Sequence, residues 1–198
     1  MAQTWNHNTV YHRALIRRLP PSGTRALDVG SGDGRFARHL AEVVREVVAI
    51  DVDPREVERA RTASGAQNVD WRCSDLLAFD APDGIFDVVT ALAVIHHLPF
   101  DQAVAHMQRL LAPGGRLLVL GVWPAKATLT DAAFSAVAVV ANATLQLLRG
   151  RTQMSSPAQK PSMSFNEVRR KSQTALPGSK VRRRLYWRYI LEWTKPTG

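Results

Sequence analysis

A chain of 198 residues is the size of one domain, and a hydrophobic content of 45% excludes a disordered tail or a fibrous repeat. A single cysteine, Cys73, excludes an intrachain disulfide framework and fits a reducing, cytoplasmic compartment. The net charge of +9 lies in the last quarter: residues 149–198 hold 12 of the 26 basic and 2 of the 17 acidic residues.

The polar start, Met1 to Tyr11, lacks the apolar run of a secretory signal. Tyr11 to Leu19 is predicted helical and stops at Pro20-Pro21, which cannot continue a helix. Arg25 to Val29 suits a buried strand, followed by a glycine turn and a helix over Arg35 to Val44. Strands are expected at Glu46–Ile50, Val69–Cys73, Asp87–Ala91 and Arg116–Val122, with helices at Arg55–Ala63 and Asp101–Leu111 between them. This alternation predicts an α/β fold: a doubly wound, mostly parallel sheet with helices on both faces and ligands at the carboxyl ends of the strands. Residues 124 to 150 read as one long alanine-rich helix or a helix pair, and 151 to 161 as a loop. The most apolar stretch, Ala132 to Leu148, is broken by Ser135, Asn142, Thr144 and Gln146 and is too short for a membrane span. Ser164-Phe165-Asn166-Glu167 has capping-box spacing, and Lys180 to Pro196 should close the sheet as an antiparallel pair.

Candidate chemistry sits at the strand ends. Gly30, Gly32 and Gly34 let the backbone turn sharply and let a ligand approach. Arg35 stands where a dinucleotide fingerprint wants its last glycine, and the carboxylate of Asp28 would repel a pyrophosphate. A cationic sulfonium nucleoside fits better than a nicotinamide dinucleotide. Asp51, 21 residues after Gly30, can accept both ribose hydroxyls, while Asp53 caps the next helix before Pro54. Asp75 can accept from an adenine amino group or cap a helix. His96 and His97, beyond the fourth strand, can touch the cofactor or act as a base.

In this order, Leu27-Asp28-Val29-Gly30-Ser31-Gly32-Asp33-Gly34, Asp51, Asp75, His96-His97-Leu98-Pro99 and Leu111-Ala112-Pro113-Gly114-Gly115-Arg116-Leu117 resemble the class I methyltransferases. The resemblance is to the small-molecule branch that includes ubiquinone- and menaquinone-biosynthesis enzymes, and it covers roughly residues 25 to 122. It implies a seven-stranded Rossmann-like sheet with a helical cap insertion over 124–163, in a single domain spanning 1–198. It also implies S-adenosylmethionine as cofactor, S-adenosylhomocysteine as product, and no metal. Asp28, Gly30, Ser31, Gly32 and Gly34 would hold the methionine end and Asp51 the ribose. Asp75 would bind the adenine, with Val52, Ser74, Leu76, Ala91 and His96 alongside. The segment 1–22 is expected as a lid, with Asn6, His7 and Tyr11 lining the site, and Trp123, Phe134 and Met154 as pocket walls. His97 and His7 are the foremost catalytic candidates, with His96 and His12 behind them. A base is needed only if the acceptor is protonated.

The acceptor is expected to be a small molecule. No Asn/Asp-Pro-Pro-Tyr/Phe motif follows the fourth strand, where the chain reads Ala91-Leu92-Ala93-Val94. Three alternatives stay open: a nucleic-acid-modifying enzyme, a non-catalytic cofactor-binding protein and a dehydrogenase. The first would use Lys180, Arg182, Arg183, Arg184 and Arg188, interleaved with Tyr186, Trp187 and Tyr189.

Overall fold

The computed structural model describes residues 9–21, 24–63, 65–124, 161–185 and 187–197. Chain order is α1 (Thr9–Ile16), β1 (Arg25–Val29), α2 (Arg35–Ala41), β2 (Glu46–Asp51), α3 (Pro54–Thr62), β3 (Val69–Cys73) and β4 (Phe86–Leu92). A short 3-10 turn (Ile95–His97) leads to α4 (Phe100–Leu110), β5 (Leu111–Val122), α5 (Phe165–Ala175), β6 (Lys180–Arg184) and β7 (Arg188–Thr194). Among the described residues the seven strands form one sheet in the order β3-β2-β1-β4-β5-β7-β6. The pairs among β1 to β5 are parallel, and β7 is antiparallel to both β5 and β6. The doubly wound, seven-stranded expectation therefore holds. The order reverses between β1 and β4, where such sheets open a crevice for a ligand.

Side chains alternate across β1, so Leu27 and Val29 enter one core and Ala26 the other. The first core lies under α4 and α5 and includes Val89, Met107, Leu117, Val168 and Leu191. The second lies under α1, α2 and α3 and includes Leu15, Phe36, Leu40, Val57 and Ile190. Local chemistry starts the helices as expected. Asp53 caps α3 by accepting from Arg55 N–H at 2.9 Å, with Pro54 at the first helical position. Ser164 and Glu167 form the capping box of α5.

The strand predicted to begin at Arg116 begins instead at Leu111. Register with β4 jumps from Phe86↔Leu111 to Val88↔Arg116, so Pro113-Gly114-Gly115 forms a bulge inside β5. Gly114 takes φ 76°, and backbone hydrogen bonds to Lys195 hold the bulge. The Lys195 ammonium donates to the carbonyls of Gln108 (3.0 Å) and Leu111 (2.7 Å), capping the end of α4. The cap helices expected over 124–150, and Phe134 and Met154 with them, fall almost wholly outside the described residues. Among the described residues no helix is long and apolar enough to cross a membrane.

His12 on α1 was a candidate base, but it is packed away between helices. It is 4% exposed, its Nδ1 lies 3.0 Å from Nδ1 of His39, and its ring meets Phe36 edge-on. Burial pulls its pKa down to about 3, helped by His39 and Arg35 and opposed by Asp33. Between that value and the ordinary 6.5 the unfolded chain binds the extra proton, so this contribution to stability shrinks as pH falls below about 6.5. Its loss is about 2 kcal/mol by pH 5. His12→Phe should remove it, so chemical denaturation at pH 7.5 and 5.0 should show the variant gaining about that much on the wild type at the lower pH. An unchanged difference would refute the assignment.

Candidate active site

The glycine turn joins β1 to α2 at the switch point. Its three glycines all have positive φ, but for different reasons. A Cβ on Gly30 would stand 2.5 Å from Val94, beyond β4. One on Gly34 would strike the Trp71 ring and stand 2.8 Å from the Ala60 Cβ. One on Gly32 meets nothing within 4 Å. The open face of Gly32 leaves room for a ligand to approach the backbone, and its positive φ alone favours glycine, whereas Gly30 and Gly34 are required by the protein's own packing as well. Ser31 ties the turn to β2 through its N–H to the Ile50 carbonyl at 3.0 Å. Its hydroxyl is buried with no partner among the described residues.

Asp28 is 2% exposed, with Oδ1 accepting from the Thr90 hydroxyl at 2.8 Å. Burial raises its pKa to about 7, against the Thr90 hydrogen bond and with help from Asp51. A buried carboxyl that ionises with difficulty favours a cationic partner. Asp51 at the end of β2 accepts from Gly32 N–H (2.7 Å) through Oδ2 and from Asp53 N–H (3.0 Å) through Oδ1. Each oxygen keeps a second lone pair, so the two backbone bonds aim the carboxylate without saturating it. Val52 next to it is 63% exposed. Ser74 donates to the Asp75 carbonyl at 3.1 Å. Asp75 is exposed and accepts from Leu77 N–H at 2.7 Å through Oδ1, the capping alternative, which does not engage Oδ2.

These residues, Asp28, Ser31, Gly32, Asp51, Val52, Ser74 and Asp75, are gathered along the carboxyl ends of β1, β2 and β3. An orphaned hydroxyl, an open glycine face and a buried carboxyl suit the methionine end and ribose of S-adenosylmethionine. Three side chains named with them are placed otherwise. Leu76 is 2% exposed and packs in the core, because the loop after β3 folds it under the sheet. Ala91 is wholly buried because β4 runs one residue further, to Leu92. Ala93 then turns the chain with φ 56°, donating to the Leu120 carbonyl at 2.7 Å, and such a strained non-glycine residue often marks a functional rim. Tyr11 donates its hydroxyl to the Leu185 carbonyl at 2.9 Å, tying α1 to the β6–β7 turn.

A cavity of about 240 Å³ opens on the other side of the 93–97 turn, toward α5. Its wall includes His96 but not His97. The two rings lie 4.0 Å apart, and His97 is the exposed one. Burial, with the charges of His97 and Arg188, lowers the His96 pKa to about 4, so the ring is neutral near pH 7. His7 lies outside the described residues. Among the described residues no cluster of His, Cys, Asp or Glu could hold a metal ion.

Among the described residues the basic side chains of the last quarter are divided between different faces of the fold. Arg183 packs over the rings of Trp123 and Phe165, at 5.2 and 4.6 Å. Arg182 pairs with Ile190 on the opposite face of the sheet, and Lys195 is spent on α4. Tyr189, expected as a base-stacking residue in the nucleic-acid alternative, is 1% exposed and lines the cavity. The signal that could have found it is Gly121. A Cβ there would strike the Tyr189 ring, which covers that glycine across the β5–β7 pair.

A family model described as a methyltransferase domain matches residues 27–119. An uncharacterised methyltransferase of Mycobacterium tuberculosis is 32% identical over 200 residues, covering 99% of this chain and all of that one. A ubiquinone biosynthesis O-methyltransferase of Xanthomonas axonopodis is 39% identical over 119 residues, covering 57% of this chain and 48% of that one. The chain is thus matched to only about half the length of that relative. Among solved structures, the N-methyltransferase NodS of Bradyrhizobium japonicum in complex with S-adenosylhomocysteine has the same fold. It superposes with a TM-score of 0.62 at 21% identity, covering 95% of this chain and 87% of that one.

Proposed function

Since this chain belongs to the class I S-adenosylmethionine-dependent methyltransferases, we propose that it transfers a methyl group to a small-molecule acceptor by in-line displacement. The observation that carries this reading is the buried Asp28 carboxyl beside the open face of Gly32, with Asp51 aimed at the same turn. Bound there, S-adenosylmethionine supplies a methyl group already activated by its positive sulfur. Asp28 meets the cationic end, Asp51 accepts from the ribose hydroxyls, and Oδ2 of Asp75 accepts from the adenine amino group. Val52 offers an apolar flank to the purine. Much of the barrier is then met by alignment and by exclusion of water.

His96 takes the acceptor's proton in this reading, in place of His97, because its ring lines the cavity and is neutral. A hydroxyl that has gained a methyl is an oxonium, acidic enough to protonate even a weak imidazole base, so this role for His96 belongs to a hydroxyl acceptor and not to an amine. A cavity of about 240 Å³ supports a small acceptor, as does the name of the Xanthomonas relative. The domain is read as a single unit working in the cytoplasm, where Cys73 stays reduced. The charge of the last quarter favours nucleic acid as the second reading.

Calorimetry with S-adenosylhomocysteine tests the cofactor role. The wild type should bind, and Asp51→Ala should bind about 1.5–3 kcal/mol more weakly. Equal affinity would remove Asp51 from the ribose site. Transfer of labelled methyl to a metabolite extract but not to total RNA supports the small acceptor, and the reverse favours the second reading.

A further inference from the structure

Tyr189 is buried, yet among the described residues nothing hydrogen-bonds its hydroxyl, and the side chain forms part of the cavity wall. Burial raises its pKa, so the group is a neutral phenol. A buried hydroxyl left unmatched is costly, so such groups usually have a partner. The hydroxyl lies over Gly121, and the cavity that Tyr189 lines is the space beside it that a partner can enter. Around that space stand the apolar Leu98, Phe100, Val122, Met163 and Val168, with His96 and Ser162 adding polar wall. The ammonium of Lys171 also borders the space but is held by Asp101 at 2.6 Å. An apolar cavity of about 150 Å³ accepts benzene, so about 240 Å³ holds one substituted ring.

One short turn of chain links the cavity to the glycine turn. Val94, against which Gly30 of the glycine turn packs, is two residues from His96 in the cavity wall. The turn from Ala93 to His97 is therefore shared between the two.

We propose that Tyr189 is the specificity-determining residue of the acceptor pocket, selecting an uncharged, ring-sized molecule by one hydrogen bond to a polar atom on the ring. This rests on the methyltransferase reading for its biological meaning, but the binding chemistry stands on the cavity alone. Gly121 belongs to the same device: its missing side chain is the space in which the phenol ring lies.

The test uses two matched probes, 4-fluorophenol and fluorobenzene, which differ by one hydroxyl. Their binding to the full chain is titrated by fluorine NMR in the presence of S-adenosylhomocysteine. The wild type should hold 4-fluorophenol roughly 5- to 10-fold more tightly than fluorobenzene, the range of one neutral hydrogen bond. Tyr189→Phe should bring that ratio to about one while leaving fluorobenzene binding unchanged. A second variant, Met163→Trp, should exclude both probes by filling the cavity. A ratio unaltered in Tyr189→Phe, or no binding of either probe to the wild type, overturns the proposal. Calorimetry with S-adenosylhomocysteine on the same samples separates the two levels. A wild type that fails to discriminate between the probes, or a Tyr189→Phe that still does, with cofactor binding intact sinks the pocket assignment alone, whereas absent cofactor binding sinks the methyltransferase reading and leaves the probe result to judge the cavity.

Discussion

Asp28→Asn should stabilise the ligand-free protein at pH 8 by up to about 4 kcal/mol while weakening S-adenosylhomocysteine binding by roughly 10- to 100-fold. The two effects share one cause. Burial raises the Asp28 pKa from 3.8 to about 7, with Thr90 opposing and Asp51 adding to the rise. Between those values the folded protein holds a proton that the unfolded chain releases. The contribution to stability is complete below about pH 4 and is lost as pH rises through about 7. A neutral asparagine keeps an acceptor for the Thr90 hydroxyl and escapes that loss, so the variant's advantage should grow from pH 4 to pH 7 and then level off. With ligand present the sign reverses in the proposed reading, where the carboxylate that burdens the empty fold is the group that meets the ammonium of the ligand. Wild-type affinity should therefore rise with pH up to about 7 and then flatten, and the variant should show neither the rise nor the affinity. Denaturant midpoints across pH, with calorimetry at pH 6 and 8, measure both. A variant less stable than the wild type at pH 8 would contradict the burial argument.

His12 and Asp28 act in the same pH window with opposite signs. His12 favours the fold more as pH rises toward 6.5, and Asp28 favours it less. Their sum is nearly flat between about pH 4 and 6.5, so a weak pH dependence in the wild type would conceal two large terms. Each single variant uncovers the other: His12→Phe should lose stability as pH rises, and Asp28→Asn should gain it.

Gly34→Ala should destabilise the protein by about 2–5 kcal/mol, whereas Gly32→Ala should cost only about 1–2 kcal/mol and act mainly on ligand binding. Both positions have positive φ, so both substitutions carry the left-handed strain of an L residue. At Gly34 the new methyl also drives into Trp71 and Ala60, which close the second core from β3 and α3. At Gly32 the methyl enters open space, and the N–H that holds Asp51 is retained. That space is the ligand's in the proposed reading, so affinity for S-adenosylhomocysteine should fall about tenfold or more. Thermal unfolding paired with calorimetry separates the two variants. Equal affinity in Gly32→Ala and the wild type would mean that the ligand does not approach this backbone.

The features legible in the chain are those whose physics is local. The strand–turn–helix of Leu27 to Gly34 carries its acid and glycines within eight residues. The Asp53 cap and the Ser164–Glu167 box are equally short-range, and the strand–helix alternation alone dictates a doubly wound sheet. Asp51 was readable because β2 must end beside β1 for its acid to meet the turn. What tertiary structure decided depends on partners distant in the chain. Gly30 and Gly34 look alike in sequence, and only Val94 and Trp71 show what each glycine makes room for. His96 and His97 are neighbours, and the direction of a single 3-10 turn decides which one faces the cavity. Length, composition and charge placed twelve basic residues in the last quarter without saying where they go. The fold lays Arg183 on Trp123 and Phe165, spends Lys195 on the end of α4, and turns Tyr189 inward over Gly121. A net charge sums over residues and holds no direction, whereas a sheet assigns each side chain to a face.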